Sequence, residues 1–187
     1  YEKLNKIINN KEPNLIWLTE YPNIYTFGPL SKEVDLLQPN KFPVIQTERG
    51  GKYTYHGPGQ RVVYLMIDLK DKSRDIKKFI LQIEDIIIRS LNKIGLSAEN
   101  NHEYHGIFIK KNNQLYKIAS IGMKFKKWIS LHGFSLNINP DLENYKGIRP
   151  CGLDNKLVTS IENEGITIEK RIIDDILIDE IKNHLLK

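Results

Sequence analysis

Gly106 to Ile138 reads G-I-F-I-K-K-N-N-Q-L-Y-K-I-A-S-I-G-M-K-F-K-K-W-I-S-L-H-G-F-S-L-N-I, and this stretch decides the fold class. Apolar and polar residues alternate through most of it, the period-two pattern of half-buried strands. Gly106 to Lys110 and Gln114 to Ile121 flank Lys111-Asn112-Asn113, which suits a β-hairpin turn. Further strands are expected at Met123 to Ile129 and Leu131 to Ile138. Strands that follow one another without intervening helices make a hairpin-rich sheet, which favours α+β over a doubly wound architecture.

Working outward, Asp75 to Ile94 carries Ile76, Phe79, Ile80, Ile83, Ile86, Ile87, Leu91 and Ile94 at helical spacing, with Ser73 as a cap and Gly95 beyond the end. Leu15 to Thr19, Ile24 to Phe27 and Val44 to Thr47 are short and rich in β-formers, and Val62 to Leu69 is a longer strand. Tyr1 to Ile8 shows one apolar helical face but opens so abruptly that upstream sequence is expected to be missing. Arg171 to Leu186 is a closing amphipathic helix, and Pro140 to Gly152, with two prolines and two glycines, reads as a surface loop. With no repeat or linker, residues 1–187 are expected to form a single domain.

The chain has a formal charge of +5, but only six of its 28 basic residues are arginine, and no nucleic-acid motif is present. Lys110, Lys111, Lys117, Lys124, Lys126 and Lys127 form its densest basic stretch. Two readings stand for them, solvated strand lysines or a docking face for an acidic protein. No apolar run spans a bilayer and no signal peptide precedes the first strand, so a cytoplasmic protein with neither nucleic acid nor membrane as partner is expected. The one cysteine, Cys151, excludes an internal disulfide and a cysteine-rich zinc site.

Four segments carry candidate chemistry. Arg49-Gly50-Gly51-Lys52-Tyr53-Thr54-Tyr55-His56-Gly57-Pro58-Gly59-Gln60 is a glycine-rich loop whose backbone can approach a ligand, and Gly50-Gly51 can offer adjacent N–H groups to an oxyanion. An ordinary turn requires neither its His nor its Arg. The run has the spacing of neither a phosphate loop nor a dinucleotide fingerprint. Lys117-Ile118-Ala119-Ser120-Ile121-Gly122 places a lysine in a strand, where a solvated side chain is the ordinary outcome. Leu131-His132-Gly133-Phe134-Ser135-Leu136-Asn137-Ile138 omits a side chain at Gly133, and leaves His132 open between structural and participating roles. In Gly147-Ile148-Arg149-Pro150-Cys151-Gly152 the thiol sits between Pro and Gly beside a cation, whereas packing cysteines have apolar neighbours. Spacing alone leaves a catalytic and a structural cysteine both open.

Taken together, R-G-G-K-Y-T-Y-H-G-P-G-Q, K-I-A-S-I-G, H-G-F-S-L-N-I-N and R-P-C-G, in this order, closely resemble the octanoyltransferases of lipoate biosynthesis, the lipoate-protein ligase B family. The likeness runs from Leu15 to about Gly152. It implies an α+β fold of the biotin and lipoate protein ligase type, a mixed sheet flanked by helices. It implies octanoyl-acyl carrier protein as donor and lipoyl-domain apoproteins as acceptor. By the same match Cys151 is the acyl-thioester nucleophile and Lys117 lowers its pKa. Arg49, Gly50, Gly51, Lys52, Tyr53, Thr54, Tyr55, His56, Ser120, Ile121, Gly122, His132, Gly133, Phe134 and Ser135 line the acyl-substrate pocket. Ser135 departs from the alanine common in the family, a small-for-small change.

The expected chemistry is ping-pong acyl transfer. Cys151 takes the acyl group from its carrier while backbone donors at Gly50-Gly51 or Gly152 hold the oxyanion, and an uncharged acceptor lysine then attacks, with Lys117 or His132 as base. Thioester to amide is downhill, so the scheme needs no ATP, metal or other cofactor. The alternatives are an ATP-dependent lipoate or biotin ligase of the same fold and a non-catalytic carrier-binding module.

Overall fold

Phe79, Ile83, Ile86, Ile87 and Leu91 recur every three or four residues along Ile76–Lys93, here α2, and all five are buried in the computed structural model of the chain. The structure describes residues 2–9, 12–70, 74–101, 106–149 and 157–186. The helix is capped by Asp75, whose carboxylate accepts from the Lys78 N–H at 2.9 Å, satisfying one of the orphan donors of the first turn. Ser73, expected to cap it, lies outside the described residues. The closing helix α3, Lys170–Leu185, buries Ile173, Leu177, Ile181 and Leu185. Both helices cover one face of a six-stranded sheet. The apolar seam between them is the main core, and an Ile83→Ala change there would cost about 2–5 kcal/mol.

That sheet has the order β1-β5-β9-β8-β7-β6, from Leu15–Thr19 (β1), Gln60–Met66 (β5), Glu99–Asn100 (β6), Ile107–Lys111 (β7), Gln114–Lys126 (β8) and Ile129–Asn137 (β9). The hairpin turn predicted between β7 and β8 is Asn112-Asn113, both left-handed (φ 49° and 61°), a conformation Asn tolerates and a two-residue hairpin demands. A break at Gly122 was expected, and the structure corrects it: Gln114–Lys126 is one continuous strand. Chain reversal falls instead at Lys127-Trp128, again with two positive φ values.

A second, three-stranded sheet, β3-β2-β4, joins Val44–Gln46 (β3), Ile24–Phe27 (β2) and Thr54–His56 (β4). Its β2 runs parallel to β3 and antiparallel to β4, so the architecture is α+β with both pairings present. The stretch Arg49–Gln60, read as a loop, therefore contains a strand. Behind this sheet Tyr25, Phe42, Tyr55 and Tyr145 form an aromatic cluster, with the Tyr25–Phe42 and Tyr55–Tyr145 rings 5.3 and 5.2 Å apart at 63° and 72°, the edge-to-face contacts that aromatic quadrupoles favour. Tyr145 comes from the segment expected to be a surface loop. That segment instead folds a 3₁₀ turn at Leu142–Gly147 and buries Asn144, Tyr145, Gly147 and Ile148. Helix α1, Glu2–Ile8, packs Ile7 against Ile129 and Leu131 of β9. Among the described residues no helix is long and apolar enough to cross a membrane.

Candidate active site

The face of the large sheet turned away from α2 and α3 is assembled row by row. On β5 the inward Val63 and Leu65 fill the main core, so Gln60, Val62 and Tyr64 point the other way. Strand registers place Val62 opposite Ser135 and Ser135 opposite Ser120, then Tyr64 opposite Gly133 and Gly133 opposite Gly122. A third row begins with Gln60 opposite Asn137. The middle row is small, and the three-stranded sheet stands over it. The result is a cavity of about 200 Å³ between the two sheets.

Gly133 and Gly122 are there because of close approach. A methyl on Gly133 would lie 2.0 Å from the Val63 carbonyl oxygen, and one on Gly122 would lie 3.0 Å from Arg49 Cδ. Arg49 crosses from the glycine-rich segment to β2, donating to the Thr26 carbonyl at 2.8 Å, to Thr26 Oγ1 at 2.9 Å and to the Gly50 carbonyl at 3.1 Å. Gly50 N–H donates to the Met123 carbonyl at 3.0 Å. Gly50-Gly51 therefore does not present two adjacent donors to an oxyanion, as the sequence suggested, because one of them ties the loop to β8.

Of the fifteen predicted pocket residues, fourteen line this cavity: Arg49, Gly50, Gly51, Lys52, Tyr53, Thr54, His56, Ser120, Ile121, Gly122, His132, Gly133, Phe134 and Ser135. Tyr55 does not. Strand β4 alternates, so Tyr55 falls on the far face, where its hydroxyl donates to Asn23 Oδ1 at 2.7 Å and accepts from Asn144 Nδ2 at 3.1 Å. Ile121 and Phe134 contribute little beyond backbone, since their side chains point into the main core. Tyr21, Ile24, Thr26, Ile45, Thr47, Val62 and Tyr64 complete the lining without having been singled out. Tyr21 and Tyr64 share a hydrogen bond between their hydroxyls at 2.7 Å, and Trp17 stacks on Tyr64 at 5.3 Å. Thr54 Oγ1 is buried and has no hydrogen-bond partner among the described residues.

His56 is held by a buried polar hub. Gln60 Nε2 donates to Tyr145 Oη at 2.8 Å and to Asn137 Oδ1 at 2.9 Å, which leaves Gln60 Oε1 as acceptor for His56 Nδ1 at 2.6 Å. His56 is thus the Nδ1–H tautomer, with Nε2 carrying the lone pair. Burial pushes its pKa down to about 4, the Gln60 bond opposes that shift, and the Arg49 charge adds to it. His132 is also held below the ordinary imidazole range, first by burial and then by Arg49. It adopts φ 63° and its ring lies 6.3 Å from that of Tyr64.

Lys117 is not a solvated strand lysine. It is 3% exposed, with Nζ 5.2 Å from the Phe108 ring centroid, a cation–π distance. Its N–H donates to the Leu157 carbonyl and its carbonyl accepts from Thr159 N–H, both at 2.9 Å. Asn137 Nδ2 in turn donates to the Thr159 carbonyl at 2.9 Å, so Lys117 joins the Gln60–Asn137 row through Thr159. Cys151 and Gly152 lie outside the described residues. Arg149, just before them, is exposed and donates its N–H to the Asp35 carbonyl at 2.8 Å. The basic stretch is divided: Lys111 pairs with Glu164 at 2.7 Å and Lys124 with Glu48 at 3.0 Å, while Lys110, Lys126 and Lys127 are exposed. Among the described residues no group of three or more His, Cys, Asp or Glu is placed to hold a metal.

Residues 2–187 match the family model of the lipoyl protein ligase A/B catalytic domain. The chain is 44% identical over 177 residues to an octanoyltransferase of Rickettsia rickettsii (strain Sheila Smith), covering 93% of this chain and 85% of that protein. It is 41% identical over 182 residues to an octanoyltransferase of Bartonella quintana (strain Toulouse), covering 92% and 74%. In fold it is similar to the bipartite lipoate protein ligase of Thermoplasma acidophilum, with a TM-score of 0.77 at 14% identity over 97% of this chain and 76% of that one.

Proposed function

The chain belongs to the lipoyl protein ligase A/B catalytic-domain family, and from that premise we propose that it is an octanoyltransferase, moving an octanoyl group from a thioester donor to a lysine of a lipoyl domain. This is the first step of protein lipoylation. The observation that carries the reading is the cavity of about 200 Å³ between the two sheets, whose floor is the small-residue row Val62–Ser135–Ser120 and whose lining comes largely from the segments that carry the family resemblance. The donor is octanoyl-acyl carrier protein and the acceptor a lipoyl-domain apoprotein.

Chemistry falls to Cys151 and Lys117. Cys151 gives its proton to the Lys117 amine and attacks the donor carbonyl as thiolate. The Cys151 S–C bond forms and the carrier S–C bond breaks. The carrier sulfur leaves as a thiol with the proton from Lys117. The acceptor lysine, as the free amine, then attacks the Cys151 thioester. The amide C–N bond forms, the Cys151 S–C bond breaks, and Lys117 passes the amine proton to the departing Cys151 sulfur. His132 pairs with Met123, beside the Tyr64–Gly133 pair and toward the Tyr64 end of the cavity, whereas Lys117 pairs with Phe108; on this reading Lys117 is the base in the second half-reaction.

Mixing the protein with octanoyl-acyl carrier protein should give one octanoyl adduct by intact mass spectrometry, absent in Cys151→Ser. Adding an apo lipoyl domain without ATP should move that group to its lysine. Transfer that occurs only with ATP, accompanied by ATP–pyrophosphate exchange, would establish a ligase instead.

A further inference from the structure

The acyl trough is closed at one end by a device the functional reading does not use. We infer that the hydrogen-bonded pair Tyr21–Tyr64, with Trp17 stacked behind it, is the chain-length stop of the acyl site. The inference rests on the octanoyl-transfer reading and assigns its specificity.

The two ends of the trough differ in kind. One end is His56, held by Gln60 of the Gln60–Asn137 row, which Thr159 links to Lys117, and the proposed chemistry sets the acyl carbonyl there. Four residues further along β5 is Tyr64, a separation of about 13 Å at the rise of a strand. That is comparable with the length of an extended eight-carbon acyl chain. Between them the floor is Val62–Ser135–Ser120, which offers neither bulk nor charge to stop a chain.

Tyr64 does present a wall. Its row partners across the sheet are both glycine, so its ring is the side chain that fills the end of the floor, with Arg49 laid over Gly122 on the far side. The ring cannot readily swing away. Its hydroxyl is tied to that of Tyr21 at 2.7 Å, and Trp17, its partner on β1, lies 5.3 Å behind with planes 26° apart. Beyond this row, Met66 and Leu131 pack with Ile7 of α1, so the wall is backed by apolar side chains. Removing the Tyr64 ring would extend an apolar trough instead of opening it to a polar surface.

The test is a donor series of octanoyl, decanoyl, dodecanoyl and tetradecanoyl carrier thioesters, read as kcat/KM relative to octanoyl. Tyr64→Ala should raise the dodecanoyl-to-octanoyl ratio at least about tenfold, because each methylene that gains a buried place contributes about fourfold. Tyr21→Ala, at a loop position outside the strands, should move the ratio in the same direction by a smaller factor. Tyr64→Phe keeps the ring and should leave the ratio where it is. A ratio within twofold of wild type in an active Tyr64→Ala enzyme overturns the inference alone; should that variant fail to fold, Tyr21→Ala decides by the same ratio. A wild-type enzyme that transfers no acyl chain overturns the functional reading and this inference with it.

Discussion

Lys117 is hydrogen bonded through its N–H to the carbonyl of Leu157 at 2.9 Å, six residues after Cys151 in sequence. The bond is one of two that lay the segment Leu157–Thr159 alongside β8, the other running from Thr159 N–H to the Lys117 carbonyl. Lys117 is buried at 3% exposure in that strand, with its Nζ over the Phe108 ring, out of bulk water where its proposed exchange of protons with Cys151 would be shielded.

If Lys117 moves protons to and from Cys151, Lys117→Ala should lower kcat by about 10²–10⁴-fold. It should also raise the apparent pKa of Cys151 alkylation by iodoacetamide, measured as rate against pH. An unchanged alkylation profile would separate the lysine from the thiol.

Gly122 and Gly133 face each other across β8 and β9 but should fail differently. A methyl at Gly133 meets the Val63 backbone oxygen at 2.0 Å and can be relieved only by moving strands. Gly133→Ala should therefore destabilise by about 3 kcal/mol in denaturant titration, the upper range for overpacking. At Gly122 the methyl meets Arg49 Cδ at 3.0 Å, part of a flexible side chain. Gly122→Ala should destabilise less than Gly133→Ala, by about 1 kcal/mol for the Arg49 hydrogen bonds it strains, and lower kcat/KM by displacing Arg49 from the cavity wall.

The same residues show what the sequence could reveal. The α+β class, α2 and the β7–β8 hairpin were legible because periodicity and Asn-Asn turn chemistry are local. Gly122 was misread as a strand end, since a glycine that makes room for Arg49 looks the same in sequence as one that breaks a strand. Tyr55 was counted with its neighbours because a contiguous motif hides the alternation that sends it to the opposite face. Val62, Tyr64 and Tyr21 were missed for the converse reason: they meet Ser135, Gly133 and each other only when β5 pairs with β9 and the Tyr21 loop folds across. Arg49 stands out in sequence because an ordinary turn needs no Arg, Ser120 and Ser135 are assigned to the pocket only by family resemblance, and the burial of Lys117 has no local signal.

His56 supplies a pH signature. Its folded pKa of about 4 lies below the ordinary imidazole value of about 6.5, so the neutral ring is favoured by the fold. Its contribution to stability should be fully present above pH 6.5 and be lost as pH falls toward 4, because the unfolded chain takes up the proton first. His56→Asn should flatten that part of the stability-against-pH curve when compared with wild type by thermal melts. A parallel pair of curves would mean that His56 titrates normally.

Thr54 offers a substitution whose effects on stability and on activity should have opposite signs. Its hydroxyl is buried, lines the cavity and lacks a hydrogen-bond partner among the described residues, a state that costs about 1–3 kcal/mol. Thr54→Val keeps the shape and removes the unsatisfied group, so the protein should gain about 1 kcal/mol of stability. If that hydroxyl is held for the acyl substrate, the same change should reduce kcat/KM for octanoyl transfer about tenfold, the equivalent of about 1.4 kcal/mol. Greater stability with undiminished transfer would make Thr54 a packing residue with a misplaced oxygen.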